Sequence, residues 1–404
     1  MGLPGDELIA AQRIYLDHAA TTPVAPEVVE AMLPFLREHW GNPSSPHARG
    51  RAARSAVDGA RDRFAAVLGC ASRELTFTSG GTEADDLAIR GAVQRWSAER
   101  GRHVVVSAIE HEAVLTTAAA LATRGEAEVT VVGCDSEGRV DPERIAAAVR
   151  DDTVLVSLML ANNEVGTVQD VGSAAALVRA RNPRVLIHTD AVQAAGRLRI
   201  DVGRLDVDLL SLSAHKCYGP KGCGVLYARW GTHLTAQLDG GGQERGRRSG
   251  TENVAAIVGF AVAAELVERE RPAQADRQMG LRDALESAVL ATAPGTRVAG
   301  ARASRLPNVS ALLVDGASAE ALVAALDIAG VEVSSGSACS SGAAQPSHVM
   351  AAMGEDPRAT ALLRLSLGRD TDAAAVVAAQ QRIVTAIEVA ARSNPARPAT
   401  AARR

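Results

Sequence analysis

Short apolar runs alternate with alanine-rich stretches of mixed polarity along most of the chain. Runs rich in β-branched residues predict strands at residues 75–78, 104–107, 129–132, 154–160, 185–189, 207–213 and 225–228. The stretches between them have the length and composition of helices, at residues 84–100, 113–124, 142–150 and 173–181. This alternation predicts an α/β fold in which helices cover both faces of a mostly parallel sheet.

The pattern changes near residue 253, where a long helix is predicted at residues 255–271. Further strands are predicted beyond it, near residues 309–314, 331–334 and 363–366. This second region is typical of a smaller α+β domain.

The predicted large domain covers residues 15–265, and the predicted small domain covers residues 266–392 together with residues 1–14. A chain of 404 residues is long enough for two such domains. The tail at 393–404 is rich in proline, alanine and arginine, and we expect it to be disordered.

Composition then limits the possible partners. A net charge of -4 provides no basic field of the kind that direct binding to nucleic acid requires. The N-terminal stretch contains Asp6 and Glu7 and lacks the basic end and apolar core of a signal peptide. No apolar run approaches the roughly 20 residues of a membrane helix, so no membrane partner is expected.

The cysteines are scattered, odd in number and without a C-x-x-C pair. This spacing argues against a disulfide framework and against a structural zinc site, so no metal is predicted. Cys217 and Cys223 are interpreted as small filling residues. A reducing, cytoplasmic compartment is the simplest inference.

Polar residues follow the predicted strands at the points where those strands end. They form five groups: Gly80-Gly81-Thr82, Glu110-His111, Asn162-Asn163-Glu164, Asp190 with Gln193, and Ser213 with His215 and Lys216. Each group could singly be a cap or a turn. Because the carboxyl ends of parallel strands border the crevice where α/β proteins bind ligands, five groups at one edge predict a ligand site.

Lys216 lies directly after the predicted strand at 207–213, where burying an ammonium group is costly. A desolvated lysine is a nucleophile at neutral pH and forms Schiff bases with carbonyl compounds. The alternative is an ordinary surface lysine at a strand end. The polar groups at the neighbouring strand ends favour the catalytic interpretation.

The segment 78–85 joins a strand to a helix, and its two glycines let the backbone approach a ligand closely. Free N–H groups at a helix start bind phosphate. A capping box from Thr82 to Asp85 is the structural alternative, and both can hold together. The segment is not a Walker A loop, and no dinucleotide fingerprint develops from the glycines at 240–242, which disfavours a hydride-transfer enzyme.

Three further residues have a chemical interpretation beside a structural one. Asp190 could pair with the ring nitrogen of a pyridoxal cofactor, or it could cap a helix. His111 could stack on an aromatic cofactor ring, or it could be a structural histidine. Cys339 lies in a Ser/Gly-rich loop, 333–346, which is expected to be mobile and could carry a reactive thiol; the alternative is a chance cysteine in a linker.

Taken together, these segments resemble the cysteine desulfurases, in the class V aminotransferase branch of the pyridoxal phosphate enzymes. The matching motifs lie at residues 15–23, 41–45, 78–83, 110–111, 162–166, 190–193, 213–222, 240–251 and 364–368, and in the Cys339 loop. The resemblance implies a fold-type I architecture, pyridoxal 5'-phosphate as cofactor and L-cysteine as substrate.

The resemblance also implies a role for each candidate residue. The implied cofactor contacts are Lys216 as Schiff-base lysine, Asp190 on the ring nitrogen, Gln193 on the ring hydroxyl, His111 stacked on the ring, Asn163 beside it, and Gly81, Thr82, Ser213 and His215 on the phosphate. Thr251 is implied to reach the phosphate of the partner subunit in a homodimer. Arg364 is implied to bind the substrate carboxylate, with help from Asn163 and Asn42.

The same resemblance implies the mechanism. L-Cysteine displaces Lys216 from the cofactor, and Lys216 then moves the α-proton. The Cys339 thiolate attacks the substrate sulfur, which leaves a persulfide on Cys339 and releases L-alanine. A free thiol is only slightly ionised at neutral pH, so some activation is expected, for which the sequence identifies no group.

The Cys339 loop resembles the longer form found in this family, which is associated with handing sulfur to a partner protein. That partner would be an iron–sulfur scaffold or a tRNA-thiolating enzyme. The rival interpretations are another class V enzyme, such as a selenocysteine lyase or an aminotransferase, and a non-catalytic protein of the same fold. Cys339 in its long loop disfavours a plain aminotransferase, and the presence of both Lys216 and Cys339 disfavours a non-catalytic protein.

The chain departs from the family pattern in two places. Asp86 stands where the family usually has asparagine, and it either weakens cofactor binding slightly or faces away. Ala214 replaces a usual glycine before His215, a change expected to be tolerated.

Overall fold

The computed structural model describes residues 13–336 and 346–392. In chain order, the strands are β1 (Ile14–Tyr15), β2 (Leu75–Thr78), β3 (His103–Ser107), β4 (Glu128–Val132), β5 (Thr153–Ser157), β6 (Leu186–Asp190), β7 (Leu209–Ser213), β8 (Gly224–Ala228), β9 (Thr296–Val298), β10 (Val309–Asp315), β11 (Val331–Glu332) and β12 (Thr360–Ser366). The helices are α1 (Pro26–Arg37), α2 (Ala48–Leu68), α3 (Gly81–Arg100), α4 (Glu112–Thr123), α5 (Pro142–Ala148), α6 (Val171–Arg181), α7 (Val202–Leu205), α8 (Val254–Thr292), α9 (Ala319–Ile328), α10 (His348–Ala352) and α11 (Ala373–Arg392).

The central sheet has the strand order β2-β8-β7-β6-β5-β3-β4. All pairs from β7 to β4 are parallel, and β8 runs antiparallel to both of its neighbours. The carboxyl ends of β3, β5, β6 and β7 therefore lie at one edge. In this register Asp190, the last residue of β6, lies beside Ser211 of β7.

Helices pack on both faces of this sheet because successive strand residues point to opposite sides. Val105 of β3 lies in one core with Phe64 of α2 and Phe260 of α8. Val104 and Val106 lie in the other core, which α3 and α4 complete. The strands are thus apolar on both faces, as the sequence predicts.

A smaller core surrounds the antiparallel sheet β12-β10-β9. Leu326 of α9 and Ile383 of α11 pack in it, and the end of α8 adds Leu285 and Val289. The parallel pair of β1 and β11 brings Ile14 into the same core. This is the α+β region predicted after residue 253.

The helix α8 runs to Thr292, far beyond residue 271 where the predicted helix ends, and it contains Pro272. The predicted end is wrong. Pro272 costs the helix one backbone hydrogen bond, but the helix continues because Leu285 and Val289 pack in the smaller core. The first half of α8 packs in the large core. The predicted domain boundary between residues 265 and 266 therefore falls inside one helix, and the boundary stays a prediction.

Some strand ends also differ from the prediction. β5 ends at Ser157 instead of 160, although Leu158 and Leu160 still donate hydrogen bonds to β6 carbonyls at 3.1 and 2.9 Å. The chain therefore stays extended beyond the regular ladder. β6 includes Asp190, which the sequence analysis placed after the strand.

Residues Ala373–Ala390, which make up most of α11, are long and apolar enough to cross a membrane by length and composition alone. Its inward side packs in the smaller core, through Val376, Ala379, Ile383, Ala386 and Ile387. The core helix of a folded domain meets the same criterion, and this packing favours that interpretation.

Gly368→Ala is expected to lower the midpoint of thermal unfolding, whereas Gly59→Ala is expected to raise it slightly. A Cβ on Gly368 would overlap the ring of His18, which is buried, and overpacking of this kind costs about 1–3 kcal/mol. Gly59 lies inside α2 with no atom within 4 Å of its added Cβ, so alanine there gains about 0.5–1 kcal/mol. Calorimetry compares the two variants, and equal midpoints would contradict the packing argument.

Candidate active site

A cavity of about 210 Å³ opens at the carboxyl edge of the central sheet. Its walls contain most of the residues singled out from the sequence: Gly81, Thr82, His111, Asn163, Asp190, Gln193, Ser213, His215, Lys216 and Arg364. Other lining residues are Ala19, Ala20, Asp85, Met159 and Val192. The strand ends thus bring the candidate residues to one place.

Lys216 ends a short 3-10 turn, Ala214–Lys216, that continues directly from β7. Its Nζ donates hydrogen bonds to the carbonyl oxygens of Ala19 and Ala20, at 2.7 and 2.8 Å. These contacts fix the amine at the cavity wall.

The helix α3 begins at Gly81, with Gly80 as its N-cap residue and no side-chain hydrogen bond at the cap. The predicted capping box is therefore wrong, because Thr82 already lies inside the first helical turn. The first N–H groups of α3 are available to an anion. A Cβ on Gly81 would lie 2.9 Å from Val192 Cγ2, so glycine is needed for this close approach.

His215 also lines the cavity, and its Nδ1 lies 3.2 Å from Thr21 Oγ1. Burial, together with the charges of Lys216 and Lys221, lowers the pKa of His215 to about 4. The imidazole is therefore neutral at physiological pH and donates from one nitrogen only. With the Ser213 hydroxyl and the start of α3, it offers uncharged donors to a phosphate.

Asp190 is part of a strand, so the alternative of a helix cap is excluded. Its Oδ1 accepts a hydrogen bond from Val192 N–H at 2.9 Å. Burial, and next the charge of Asp85, raise the pKa of Asp190 to about 6. Ligand atoms of Asp85, His111 and Asp190 all lie within 4.8 Å of one another, so this floor of the cavity concentrates negative charge. The group is also compact enough for a metal ion, and the absence of a metal stays a prediction.

Gln193 donates from Nε2 to the carbonyl oxygen of Ala19 at 2.9 Å. Its buried Oε1 has no hydrogen-bond partner among the residues that the structure describes. A buried amide oxygen without a donor is unfavourable, so a hydroxyl group of a ligand would stabilise it.

His111 is the N-cap residue of α4. Its Nδ1 accepts a hydrogen bond from Ala113 N–H at 3.1 Å. The structural and the chemical interpretation therefore hold together, because this bond holds a ring that lines the cavity.

Arg364 lies on β12 with its side chain only 3% exposed. Its Nη1 donates to the carbonyl oxygen of Asn163 and its Nη2 to the carboxylate of Asp17, both at 2.8 Å. Its buried Nε has no partner within the described part of the chain. The guanidinium therefore retains a donor for the carboxylate of a ligand.

Three predicted residues are not part of this cavity. Asn42 is exposed, and its Oδ1 accepts the Ser44 N–H in a turn instead. Thr251 is exposed and does not line the cavity of its own chain. Cys339 lies outside the described residues. The roles expected for these three stay predictions.

The acid at position 86 faces away from the cavity. Its carboxylate pairs with Arg90 at 2.9 Å and accepts the Thr117 hydroxyl at 3.1 Å. These contacts favour the expectation that Asp86 faces away from the cofactor over the expectation that it weakens cofactor binding.

Two acids at this site have no catalytic or binding role in the sequence interpretation. Asp85 lies one helical turn after Gly81, so the helical period puts it on the same side of α3, and this spacing could have identified it. Asp17 contacts Arg364, which lies 347 positions away along the chain, and no local pattern reveals such a pair.

These contacts fit pyridoxal phosphate, the cofactor that the resemblance implies. An amine is available for its aldehyde, and an uncapped helix start is available for its phosphate. The unpartnered Oε1 of Gln193 suits its ring hydroxyl. Two buried carboxylates suit a protonated ring nitrogen.

In cofactor-free protein, Asp190→Asn is expected to stabilise the fold at neutral pH but not near pH 4. Because the folded chain raises the pKa of Asp190 from 3.8 to about 6, the stability contributed by its protonated form is lost as the pH rises through this window. The full difference is roughly 3 kcal/mol. Thermal melts of both proteins at the two pH values measure it. A constant difference between the proteins would show that Asp190 ionises normally.

Comparison with known proteins agrees with this geometry. The aminotransferase class-V family model matches residues 14–378. A cysteine desulfurase IscS from Anaeromyxobacter sp. (strain Fw109-5) is 48% identical over 365 residues, which cover 89% of this chain and 88% of that protein.

Solved structures show the same similarity over nearly the whole chain. A NifS-like protein superposes with a TM-score of 0.86 at 36% identity, covering 94% of this chain and 100% of the other. A structure described as SspA in complex with cysteine gives a TM-score of 0.75 at 32% identity, covering 88% and 98%. The predicted fold class is confirmed.

Proposed function

We propose that Lys216 and Cys339 divide the reaction between them, because this chain belongs to the aminotransferase class-V family and is a pyridoxal phosphate-dependent cysteine desulfurase. Lys216 acts on the α-carbon of L-cysteine, and Cys339 takes the sulfur. The observation that supports this most is the convergence of Lys216, Asp190 and Arg364 on one cavity. The IscS relative is named a cysteine desulfurase, which does not favour a selenocysteine lyase or an aminotransferase.

The cavity residues would hold the cofactor and the substrate as the resemblance implies. When bound, pyridoxal phosphate supplies an electron sink next to the substrate α-carbon. The proposed cofactor contacts are Asp190 at the ring nitrogen, Gln193 at the ring hydroxyl, His111 and Asn163 along the ring, and Gly81, Thr82, Ser213 and His215 at the phosphate. Arg364, oriented by Asn163 and Asp17, would bind the substrate carboxylate.

Lys216 is proposed to move the α-proton. As a neutral amine its Nζ accepts a proton, and as an ammonium it donates one. The carbonyl oxygens of Ala19 and Ala20 would hold the protonated form inside the cavity between these two events.

Cys339 is proposed to be the nucleophile that removes the sulfur. Its thiolate attacks the substrate sulfur, a sulfur–sulfur bond forms, and the carbon–sulfur bond breaks with its electron pair going to carbon. Protonation of that carbon leaves alanine, so atoms and electrons balance. The described residues on either side of the Cys339 loop lie next to Glu164, the sequence neighbour of Asn163 in the cavity wall. Ser347 donates to Glu164 Oε2 at 2.5 Å, and a Cβ on Gly336 would lie 3.0 Å from the same atom.

The cysteines in the described part of the chain are poor candidates for this step. Burial raises the pKa of Cys70 and Cys217 to about 12. Burial also raises the pKa values of Cys134 and Cys223. Their thiolate fractions at neutral pH are therefore small, which supports Cys339.

The persulfide on Cys339 would pass to an acceptor protein, either an iron–sulfur scaffold or a thiolation enzyme. The working form would be a cytoplasmic homodimer. In it, Thr251, which is exposed and outside its own cavity, would complete the phosphate site of the partner subunit.

The activity is tested by incubating cofactor-loaded protein with L-cysteine and a thiol reductant. We expect alanine and sulfide to form at equal rates. An aminotransferase would instead require a 2-oxo acid and would release no sulfide. Cys70→Ser, a matched thiol replacement away from the cavity, should behave as wild type.

The shared site is tested by mixing inactive subunits. A dimer of one Lys216→Ala and one Thr251→Glu subunit should contain one intact site, which pairs the second subunit's lysine with the first subunit's threonine. We expect about half of the wild-type activity from the purified mixed dimer, and about a quarter from an equimolar mixture in which subunits pair at random. No recovery above the two parent variants would contradict the proposed role of Thr251.

A further inference from the structure

Asp85 is a buried acid on the cavity side of α3 that no proposed step uses. It is 1% exposed and lines the same cavity as Asp190. Its Oδ1 accepts no hydrogen bond from the residues that the structure describes. The ring of His188 lies behind it, with Nε2 3.5 Å from this oxygen.

His188 is itself held in place from both sides. Its Nδ1 lies 2.9 Å from Ser157 Oγ, and its Nε2 lies 3.0 Å from Ser211 Oγ. The histidine is fully buried between β5 and β7. The imidazole therefore lies beside the Asp85 carboxylate while its own ring nitrogens are engaged by two serines.

The floor of the cavity brings two buried acids together. Two buried carboxylates, Asp85 and Asp190, lie together, and in the described chain no arginine forms an ion pair with either. The pKa of Asp190 reflects this proximity, because it is raised first by burial and next by the charge of Asp85. Buried like charges are stable together only when a cation or a shared proton lies between them.

We propose that Asp85 is a positioning residue that acts through Asp190 to keep the ring nitrogen of pyridoxal phosphate protonated. The proposal rests on the proposed contact between Asp190 and that nitrogen. A second negative charge behind Asp190 raises the proton affinity of the ring nitrogen by simple electrostatic attraction. The electron sink is strongest when that nitrogen carries its proton.

Other titratable groups face the same floor. The segment before α4 contributes Glu110 and His111, and β6 contributes His188. Burial raises the pKa of Glu110 to about 8, so this acid is largely protonated at neutral pH and adds little negative charge. Lys216 and Arg364 line the cavity as well. The fixed negative charge at the floor is therefore mainly that of Asp85 and Asp190.

The neighbouring acid supplies a matched control. Asp86 lies on the same helix, but its carboxylate pairs with Arg90 and accepts the Thr117 hydroxyl. Asp85→Asn and Asp86→Asn thus remove the same charge from adjacent positions, one facing the cavity and one facing away.

The test is the nitrogen-15 chemical shift of the ring nitrogen in protein reconstituted with labelled pyridoxal phosphate, followed as the pH is raised. For Asp85→Asn we expect the ring nitrogen to lose its proton at a pH lower by about one unit or more. The dissociation constant for the cofactor should rise by about tenfold. Asp86→Asn should match wild type in both measurements. If Asp85→Asn does not fold, Asp85→Ser, smaller and also neutral, tests the same charge.

A ring nitrogen that titrates as in wild type when Asp85 is neutral overturns the inference. The variant Asp190→Asn separates this failure from a failure of the proposed function. If Asp190→Asn shifts the titration and Asp85→Asn does not, the role of Asp85 alone is wrong. If neither shifts it, the contact between Asp190 and the ring nitrogen is wrong as well.

Discussion

Lys216→Ala is expected to reduce alanine formation from L-cysteine by at least about a thousandfold. The variant loses both the amine that bonds to the cofactor and the group that moves the α-proton. The Nζ lies at the cavity wall on the carbonyl oxygens of Ala19 and Ala20, and the alanine side chain leaves this position without an amine. The rate is measured by single-turnover assay of alanine.

Two controls make this result specific. Lys221→Ala removes an exposed lysine five positions further along the chain and should leave the rate near wild type. A small primary amine added to Lys216→Ala should restore part of the activity, since the missing function is a proton-carrying amine. Full activity of Lys216→Ala without added amine would contradict the assignment.

Arg364→Gln is expected to lower kcat/KM for L-cysteine by about a hundredfold to ten-thousandfold, mainly through KM. Each charged hydrogen bond to a carboxylate contributes about 1.5–3 kcal/mol, and a guanidinium can make two. The substitution also leaves Asp17 without its ion-pair partner, so some loss of thermal stability should accompany it.

Arg305→Gln is the matched control for that stability loss. Arg305 forms a comparably buried pair with Glu286 at 2.7 Å, and neither residue lines the cavity. It should lose stability and keep its KM. If both variants raise KM equally, Arg364 acts on substrate binding only through the stability of the fold.

The sequence predicts the central sheet well because its strands carry a strong local signal. A run such as Val104–Val106, buried on both faces, is apolar whatever its partners are. The helices α1 and α2 are absent from the prediction. In α2 most of the apolar residues are alanines, and arginines and aspartates are interspersed among them, so the helical signal is weak. Its buried residues Ala53, Val57, Ala60 and Phe64 nevertheless follow helical spacing, which could have identified the helix.

The site is predictable where a residue sits at a strand end. Ser213 ends β7, Lys216 follows it, and Asn163 comes after β5, so the parallel register brings them to one edge. The segment from Asp17 to Thr22 shows the limit. Its backbone carbonyls hold Lys216 and Gln193, and its acid holds Arg364, yet these contacts depend on tertiary packing across the whole chain.

The central claim is that sulfur leaves L-cysteine by transfer to Cys339, and one measurement tests it most directly. Cofactor-loaded protein is mixed with L-cysteine without any reductant, alanine is counted per site, and each cysteine-containing peptide is weighed by mass spectrometry. We predict close to one alanine per site and a mass gain of one sulfur atom on the Cys339 peptide, with Cys70, Cys134, Cys217 and Cys223 unchanged. Alanine formed at the same rate and amount by Cys339→Ser, or sulfur found on another cysteine, would contradict the account.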